Sequence, residues 1–300
     1  MVMVEYLKLS NHIFFLEGEN KGRYPFSNSM LLEGDKRILI DTGIGPTSIE
    51  ELIREKRIDL VLISHGHEDH IVSNPLFEDA EICCHKLDAP LLRSVRKLEE
   101  IYGSVGTDAE EEMRGFLRDI FGLRDSRVDF EFEDGCEFEL GSLTVKVIHT
   151  PGHSAGHCCF YIPSKKMAFI GDVDLTPFGP WYGGIDSDID QFLGSIERIK
   201  ELQLEVAVTS HRGVVRGRKE ISQALDEFAR KIFDRERRLL ELLNEERGLD
   251  EIVNQAIIYG KFPHPEKLFK LSERIMIEKH LQRLIMQGKI ECTESGFKRI

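Results

Sequence analysis

Four times along this chain an apolar run of strand character leads within a few residues into histidine or aspartate. Ile58–Ile63 (IDLVLI) leads into Ser64–His70, which holds His65, His67, Asp69 and His70. The alternating run Leu143–Ile148 leads to Thr150–Pro151–Gly152–His153, Ala168–Phe169–Ile170–Gly171 ends at Asp172, and Val206–Thr209 leads to Ser210–His211. A fold that uses all four must bring strand ends together, and α/β sheets keep their sites on loops at such ends. In a near-extended loop, side chains two apart point the same way, so His65 and His67 can share one ion. The turn that follows sends Asp69 and His70 toward a second position. A histidine-rich polar loop without metal is the competing explanation of the first cluster alone, and four ligand-bearing strand ends argue against it. Imidazole nitrogen and carboxylate oxygen are donors that zinc takes at about 2.0–2.2 Å. A carboxylate with two oxygens is the natural bridge between ions about 3.5–4 Å apart.

In this order and spacing the residues resemble the metallo-β-lactamase superfamily, whose pattern H-x-H-x-D-H, His, Asp, His appears as His65, His67, Asp69, His70, His153, Asp172 and His211. Asp41, in Asp41–Thr42–Gly43, matches a further family signature, and the likeness runs over roughly residues 10 to 215. The resemblance implies an α/β fold, a four-layer αβ/βα sandwich with a metal cleft along the sheet edges. It implies a first metal on His65, His67 and His153, a second on Asp69, His70 and His211, Asp172 as the bridge, and Asp41 orienting a ligand imidazole. The implied cofactor is a pair of zinc ions, with iron or manganese as alternatives. The implied chemistry is hydrolysis, a hydroxide held by Asp69 and Asp172 attacking a small-molecule ester, thioester or lactone. The motif Thr150–His157 (TPGHSAGH) resembles glyoxalase-II-like members. Two departures bear on loop shape: Ile71–Val72–Ser73 replaces glycines after His70, and the last ligand sits in Ser210–His211–Arg212–Gly213.

With 300 residues, 41% of them hydrophobic, the chain can bury a large core and hold more than one unit. The opening MVMVEYLKLS reads as a strand with a charge in its middle, not a secretory signal, and no apolar stretch approaches the ~18 residues of a membrane span. A cytoplasmic enzyme is expected. The adjacent pairs Cys83–Cys84 and Cys158–Cys159 lack the spacing of zinc ribbons or disulfide frameworks, and read as buried thiols on opposite faces of strands.

Between the metal motifs, residues 86–128 read as a helical insertion that shapes the cleft, with helices over Leu87–Tyr102 and Asp108–Phe121. A further helix spans Ser187–Leu202, with Ser187 as its cap, and beyond His211 the strands are expected to stop. Helical patterns over Ile221–Asn244, Leu249–Ile258 and Leu271–Gln287, then a hairpin turning at Ser295–Gly296, read as a winged helix. This tail resembles the winged-helix unit of lactamase-beta-2-type proteins. The chain therefore divides into a catalytic domain, 1–225, and a winged-helix domain, 226–300. Every ligand precedes Ala229, so a chain ending there is expected to stay folded and keep its metals.

From Arg230 to Ile300 there are 15 Lys and Arg against 12 Asp and Glu, a net of +3; the whole chain is −13, so the rest carries −16. Such a body disfavours unspecific nucleic-acid binding. The resemblance of the tail nevertheless keeps an endoribonuclease acting on single-stranded RNA as the alternative, and the tail can equally serve as a homodimer or packing element. Arg212 follows the last ligand and is a candidate fork for an anionic substrate. Trp181 and Tyr182, between Pro180 and Gly183, are candidates for an aromatic pocket wall. Glu68 and His157 lie beside ligands in sequence and read as structural or supporting residues.

Overall fold

The computed structural model describes residues 6–300. The strand expected at the start is present from Tyr6; its portion over Met1–Glu5 lies outside the described residues. The first sheet holds β1 (Tyr6–Ser10), β2 (Ile13–Leu16), β3 (Ser29–Glu33), β4 (Arg37–Ile40), β5 (Leu60–Leu62), β6 (Glu81–His85) and β7 (Phe130–Phe132), in that spatial order. Its first four strands are antiparallel and β4 to β7 run parallel, so the IDLVLI strand is a parallel one. The second sheet is built from β8 (Glu137–Glu139), β9 (Thr144–His149), β10 (Cys158–Ile162), β11 (Met167–Phe169), β12 (Val206–Thr209) and β13 (Gly213–Arg216). β11 and β12 are parallel in it, and β13 returns antiparallel on β12.

The side-chain period of two sorts each strand between layers. In β4, Ile38 and Ile40 face the second sheet while Leu39 faces helices. Cys158 and Phe160 of β10 likewise enter the inter-sheet core, and Cys159 the outer one. Helices cover both outer faces. Over the first sheet lie α1 (Pro46–Glu55), α2 (Glu68–Ile71), α3 (Ala89–Arg93), α4 (Val95–Ile101) and α5 (Glu110–Gly115). Over the second lie α6 (Ile189–Glu201) and α7 (Arg218–Leu242), followed by α8 (Leu249–Asn254), α9 (Glu266–Met286) and the hairpin of β14 (Ile290–Cys292) and β15 (Phe297–Arg299). The arrangement is the expected four-layer sandwich.

Local chemistry corrects several boundaries. The first insertion helix is interrupted at Ser94, which is extended, because Asp125 accepts the Val95 amide and caps a new start. Asp188, not Ser187, caps α6: its Oδ1 accepts from the Gln191 amide at 2.8 Å, whereas Ser187 Oγ donates to the Gly184 carbonyl. Strands do not stop at His211, since Gly213 (φ +97°) turns the chain back as β13. α8 ends at Asn254, earlier than the helical pattern, and α9 starts earlier than the pattern, at Glu266.

α7 runs through residues 225 and 226 without a break, and one apolar core joins Phe192 and Ile196 of α6 to Leu239, Met276, Ile277 and Leu284 of the C-terminal helices. The structure thus alters the expectation for a chain ending at Ala229: it would cut α7 and bare this core. Such a chain should be insoluble or aggregate on expression; a soluble monomer with an unchanged thermal transition would establish that the tail is separable.

The ends of the two sheets meet at His85 of β6 and His149 of β9, whose rings stack with centroids 4.2 Å apart. Burial, with His149 alongside, depresses the His85 imidazole from its ordinary 6.5 to about 4. The unfolded chain therefore binds the extra proton first, and this contribution to stability is lost as pH falls from 6.5 toward 4. His85→Phe should flatten the fall of the thermal midpoint across that window; an unchanged slope would assign the acid sensitivity elsewhere.

Candidate metal centre

The loop after β5 extends through His65 and His67, and α2 begins at once, so Asp69 and His70 turn onto its first coil. Its approach to the first strands depends on Gly43, where a Cβ would stand 1.5 Å from the Asp69 carbonyl oxygen. His153 comes from the loop between β9 and β10, Asp172 from beyond β11, and His211 from the turn between β12 and β13. That turn is pinned by Thr209 Oγ1, which accepts from the Arg212 and Gly213 amides at 3.0 Å.

All seven residues converge. His153 Nε2 lies 3.0 Å from His65 Nε2 and 2.9 Å from His67 Nδ1. Asp172 Oδ2 faces this trio, at 3.3 Å from His153 Nε2 and 3.9 Å from His65 Nε2. Its Oδ1 faces the other set, at 3.2 Å from His70 Nε2 and 3.5 Å from His211 Nε2, both of which approach Asp69 Oδ2 within 3.6 Å. Ligand atoms about 2.0–2.2 Å from a tetrahedral ion stand about 3.3–3.6 Å from one another. The set around Asp69, His70 and His211 matches at 3.2–3.6 Å, while the three imidazoles of the first set stand closer, at 2.9–3.0 Å. The buried atoms His70 Nε2 and Asp172 Oδ1 have no hydrogen-bond partner, which leaves their lone pairs for a cation.

Second nitrogens fix the rings. Asp41 Oδ2 accepts from His70 Nδ1 at 2.8 Å, His153 Nδ1 donates to the Trp181 carbonyl at 2.9 Å, and His211 Nδ1 donates to the Gly22 carbonyl at 2.7 Å. Such partners set the tautomer that turns Nε2 toward an ion. His157 holds the bridge: its Nδ1 donates to the Thr150 carbonyl and its Nε2 accepts the Asp172 amide, each at 3.0 Å. Burial keeps that imidazole neutral, down at about 3.

Electrostatics divides the cluster. Burial and neighbouring imidazoles hold His65 and His67 well below the ordinary histidine range. Burial works against charge on His211 too, but the Asp172 and Asp69 carboxylates outweigh it and hold the ring up at about 10. Asp172 is buried, yet His211, His70 and His153 keep its carboxyl well below the usual range. A divalent cation among these groups would meet the carboxylate charge with both rings neutral, the form in which imidazole binds a metal.

A cavity of about 270 Å³ opens over His67, His153, Asp172 and His211. Its remaining lining comes from Tyr24, Glu68, Asp69 and Asp174, from the insertion (Tyr102, Met113, Phe116), from Phe178 and Trp181, and from the C-terminal unit (Tyr259, Leu268, Phe269, Ser272). Glu68 accepts from Tyr24 at 2.7 Å and from Tyr102, and burial beside Asp69 pushes its carboxyl up to about 7. Trp181 lines the cavity. Tyr182 does not: it is buried, and its hydroxyl bonds His280 Nε2 at 2.7 Å and Arg235 Nη1 at 2.8 Å. Arg212 is also absent from the lining; its exposed side chain donates to the Leu175 carbonyl.

Two supporting residues escaped the sequence reading. Asp88 is buried and ties the ligand loops together, accepting from the Gly66 amide at 2.8 Å, Ser154 Oγ at 2.9 Å and the Gly156 amide at 2.7 Å. Burial and Asp186 push its carboxyl up to about 6. Arg235 of α7 is buried and holds the loop that carries Trp181, donating to Phe178 O at 2.7 Å and to Pro180 O. Neither stands near a ligand in sequence, and a lone Asp or Arg carries no local signal.

Comparison with known proteins agrees with this geometry. The sequence profile described as "Metallo-beta-lactamase superfamily" matches residues 23–211. The chain belongs to the metallo-β-lactamase superfamily and is a hydrolase of that superfamily, and its His/Asp cluster implies a divalent metal. It is 24% identical over 297 residues to a beta-lactamase-like protein 2 homolog of Caenorhabditis elegans, covering 95% of this chain and 88% of that one. It is 27% identical over 214 residues to the acyl-coenzyme A thioesterase MBLAC2 of Homo sapiens, covering 65% and 74%. In fold it is similar to the metallo-beta-lactamase family protein TTHA1429 of Thermus thermophilus, with a TM-score of 0.74 and 20% identity over 98% of this chain and 100% of that one.

Asp88→Asn would aim an amide donor at groups that are themselves donors. It should weaken metal binding by about 10–100-fold, the usual effect of losing a partner behind the ligands. Competition with a chromophoric chelator reads this directly, and unchanged affinity in a folded variant would remove Asp88 from the metal machinery.

Proposed function

We propose that the chain hydrolyses acyl thioesters or related esters at a dinuclear zinc centre. The observation that carries this is the orientation of Asp172, with Oδ2 toward His65, His67 and His153 and Oδ1 toward Asp69, His70 and His211. Two divalent ions there supply a hydroxide nucleophile at neutral pH and a Lewis acid for the carbonyl. His65, His67 and His153 would hold one ion and Asp69, His70 and His211 a second, with Asp172 placed between the two sets and, with Asp69, positioned to orient the nucleophile. Asp41 and His157 keep His70 and Asp172 in register. Trp181, Phe116 and Phe269 line the approach to the reacting carbonyl.

The thioesterase name of the human relative supports an acyl thioester as substrate. So does the cavity, whose described lining contains no lysine or arginine while carrying Glu68 and Asp174 beside the ligands. That composition favours an uncharged acyl group over the phosphodiester chain of an RNA, which needs cationic contacts. Arg212, exposed and outside the cavity, gives no ground for an anionic acyl group. We read residues 226–300, three helices and a hairpin, as a winged-helix unit employed here as a wall of the site. No helix among the described residues is long and apolar enough to cross a membrane, and six unpaired cysteines fit a reducing compartment such as the cytoplasm.

Elemental analysis of purified protein should find about two zinc ions per chain, the complement a two-metal site requires, together with turnover of acyl thioesters. Asp172→Ala should lose at least one ion and most activity. One tightly held iron with dioxygenase activity would overturn the reading.

A further inference from the structure

We propose that the helical insertion and the C-terminal helices together form an acyl-binding subsite that selects medium-length apolar acyl groups. This rests on the thioester reading above and names the part of the substrate it leaves open.

Two elements distant in sequence meet over the metal ligands. Met113 and Phe116 come from the end of α5 and the turn that follows, and Leu268 and Phe269 from the first turns of α9, with Tyr259 just before it. Leu268 shares an apolar cluster with Tyr102 and Met113, so α9 and the insertion form one continuous wall. A Cβ at Gly103 would stand 3.1 Å from Ile275 Cδ1, which shows how closely α9 approaches that loop. The wall is tied to the metal ligands through Trp181, whose carbonyl accepts from His153 and whose Nε1 donates to Tyr259 Oη at 2.9 Å. The cavity thus carries the metal ligands and the acidic groups Glu68 and Asp174 at one part of its lining, while the wall from the insertion and α9 is mainly apolar, with Met113, Phe116, Leu268 and Phe269.

An acyl group fits that division. Its carbonyl belongs at the ligands, and its hydrocarbon covers Phe116, Leu268 and Phe269. Size sets the length. The cavity's 270 Å³ lies just under the ~300–1,000 Å³ of most small-ligand clefts. A cleft at the small end of that range suits an octanoyl- or decanoyl-sized group better than a palmitoyl chain. Each methylene that leaves water for such a wall is worth about fourfold in binding.

The test uses the full-length protein with S-acyl thioesters of N-acetylcysteamine, from acetyl to palmitoyl. kcat/KM should climb about fourfold per methylene, peak at octanoyl or decanoyl, and fall beyond. Phe269→Ala and Phe116→Ala, both at half-buried positions, should each move that peak about two carbons or more toward longer chains. A profile flat from acetyl to decanoyl, or a peak that neither variant moves, overturns the subsite. Turnover of no thioester at all overturns the proposed function instead, and the subsite is then decided by binding. Trp181 is the only tryptophan in the chain and lines the cavity, so its fluorescence reports occupancy. Octanoate should give a saturable change that acetate does not, weakened in Phe269→Ala; equal responses to the two acids would overturn the proposal.

Discussion

The metal centre depends on two buried carboxylates that do not themselves face it. Asp41 accepts the Ser64 amide and hydroxyl and the His70 imidazole; Asp88 accepts the Gly66 and Gly156 amides and the Ser154 hydroxyl. Each therefore joins segments from different strand ends by three hydrogen bonds, which is what a buried carboxylate needs to remain in an apolar interior. Asp41 sits at φ +59°, a backbone position that side chains rarely take. The three bonds its carboxylate makes outweigh that strain, and the pose turns the carboxylate toward the loop of His65 and His67. Hydrogen bonds of this kind fix the orientation of the loops that carry the metal-ligand candidates.

The same logic extends to the C-terminal helices. Arg235 is buried with its guanidinium over the Phe178 and Tyr182 rings, donating to two carbonyls of the loop and to the Tyr182 hydroxyl. Desolvating a cation is costly unless its donors are met. Here they are met by the segment that presents Trp181 to His153. The tail is thus bonded to the partner of a metal ligand and supplies one side of the cavity, which explains why its core is not separate from the sandwich.

Much of this was legible in the chain because ligand spacing and strand periodicity are local. His65, His67, Asp69 and His70 follow one strand within a few residues, and the alternation in Leu143–Ile148 fixes which face each residue takes. The residues that escaped are those whose role is set by tertiary contact. Nothing near Asp88 in sequence announces Gly66 and Gly156 as its partners. Ser94 sits in a good helical pattern and breaks it only because Asp125, far along the chain, caps the next helix. Trp181 and Tyr182 read together as candidates for an aromatic wall; adjacent side chains point apart, and Tyr182 enters the interior to meet Arg235 and His280. Arg212 misled for the same reason, since the turn that aims His211 inward aims the next residue outward.

The placement of the apolar wall bears on rate as well as on selection. In the proposed thioester hydrolysis the rate depends on how well the carbonyl is held against the nucleophile, and correct orientation is worth about 7–11 kcal/mol in favourable cases. The ligands themselves can fix only the carbonyl oxygen. In the proposed subsite an acyl chain along Phe116, Leu268 and Phe269 would fix the other end, so that binding energy gained far from the reacting atoms would be spent on their alignment. Cutting the chain short then costs turnover and not affinity alone. A fold whose strand ends supply the metal ligands and whose added helices supply an apolar wall can therefore change its substrate through the helices while leaving those ligands untouched.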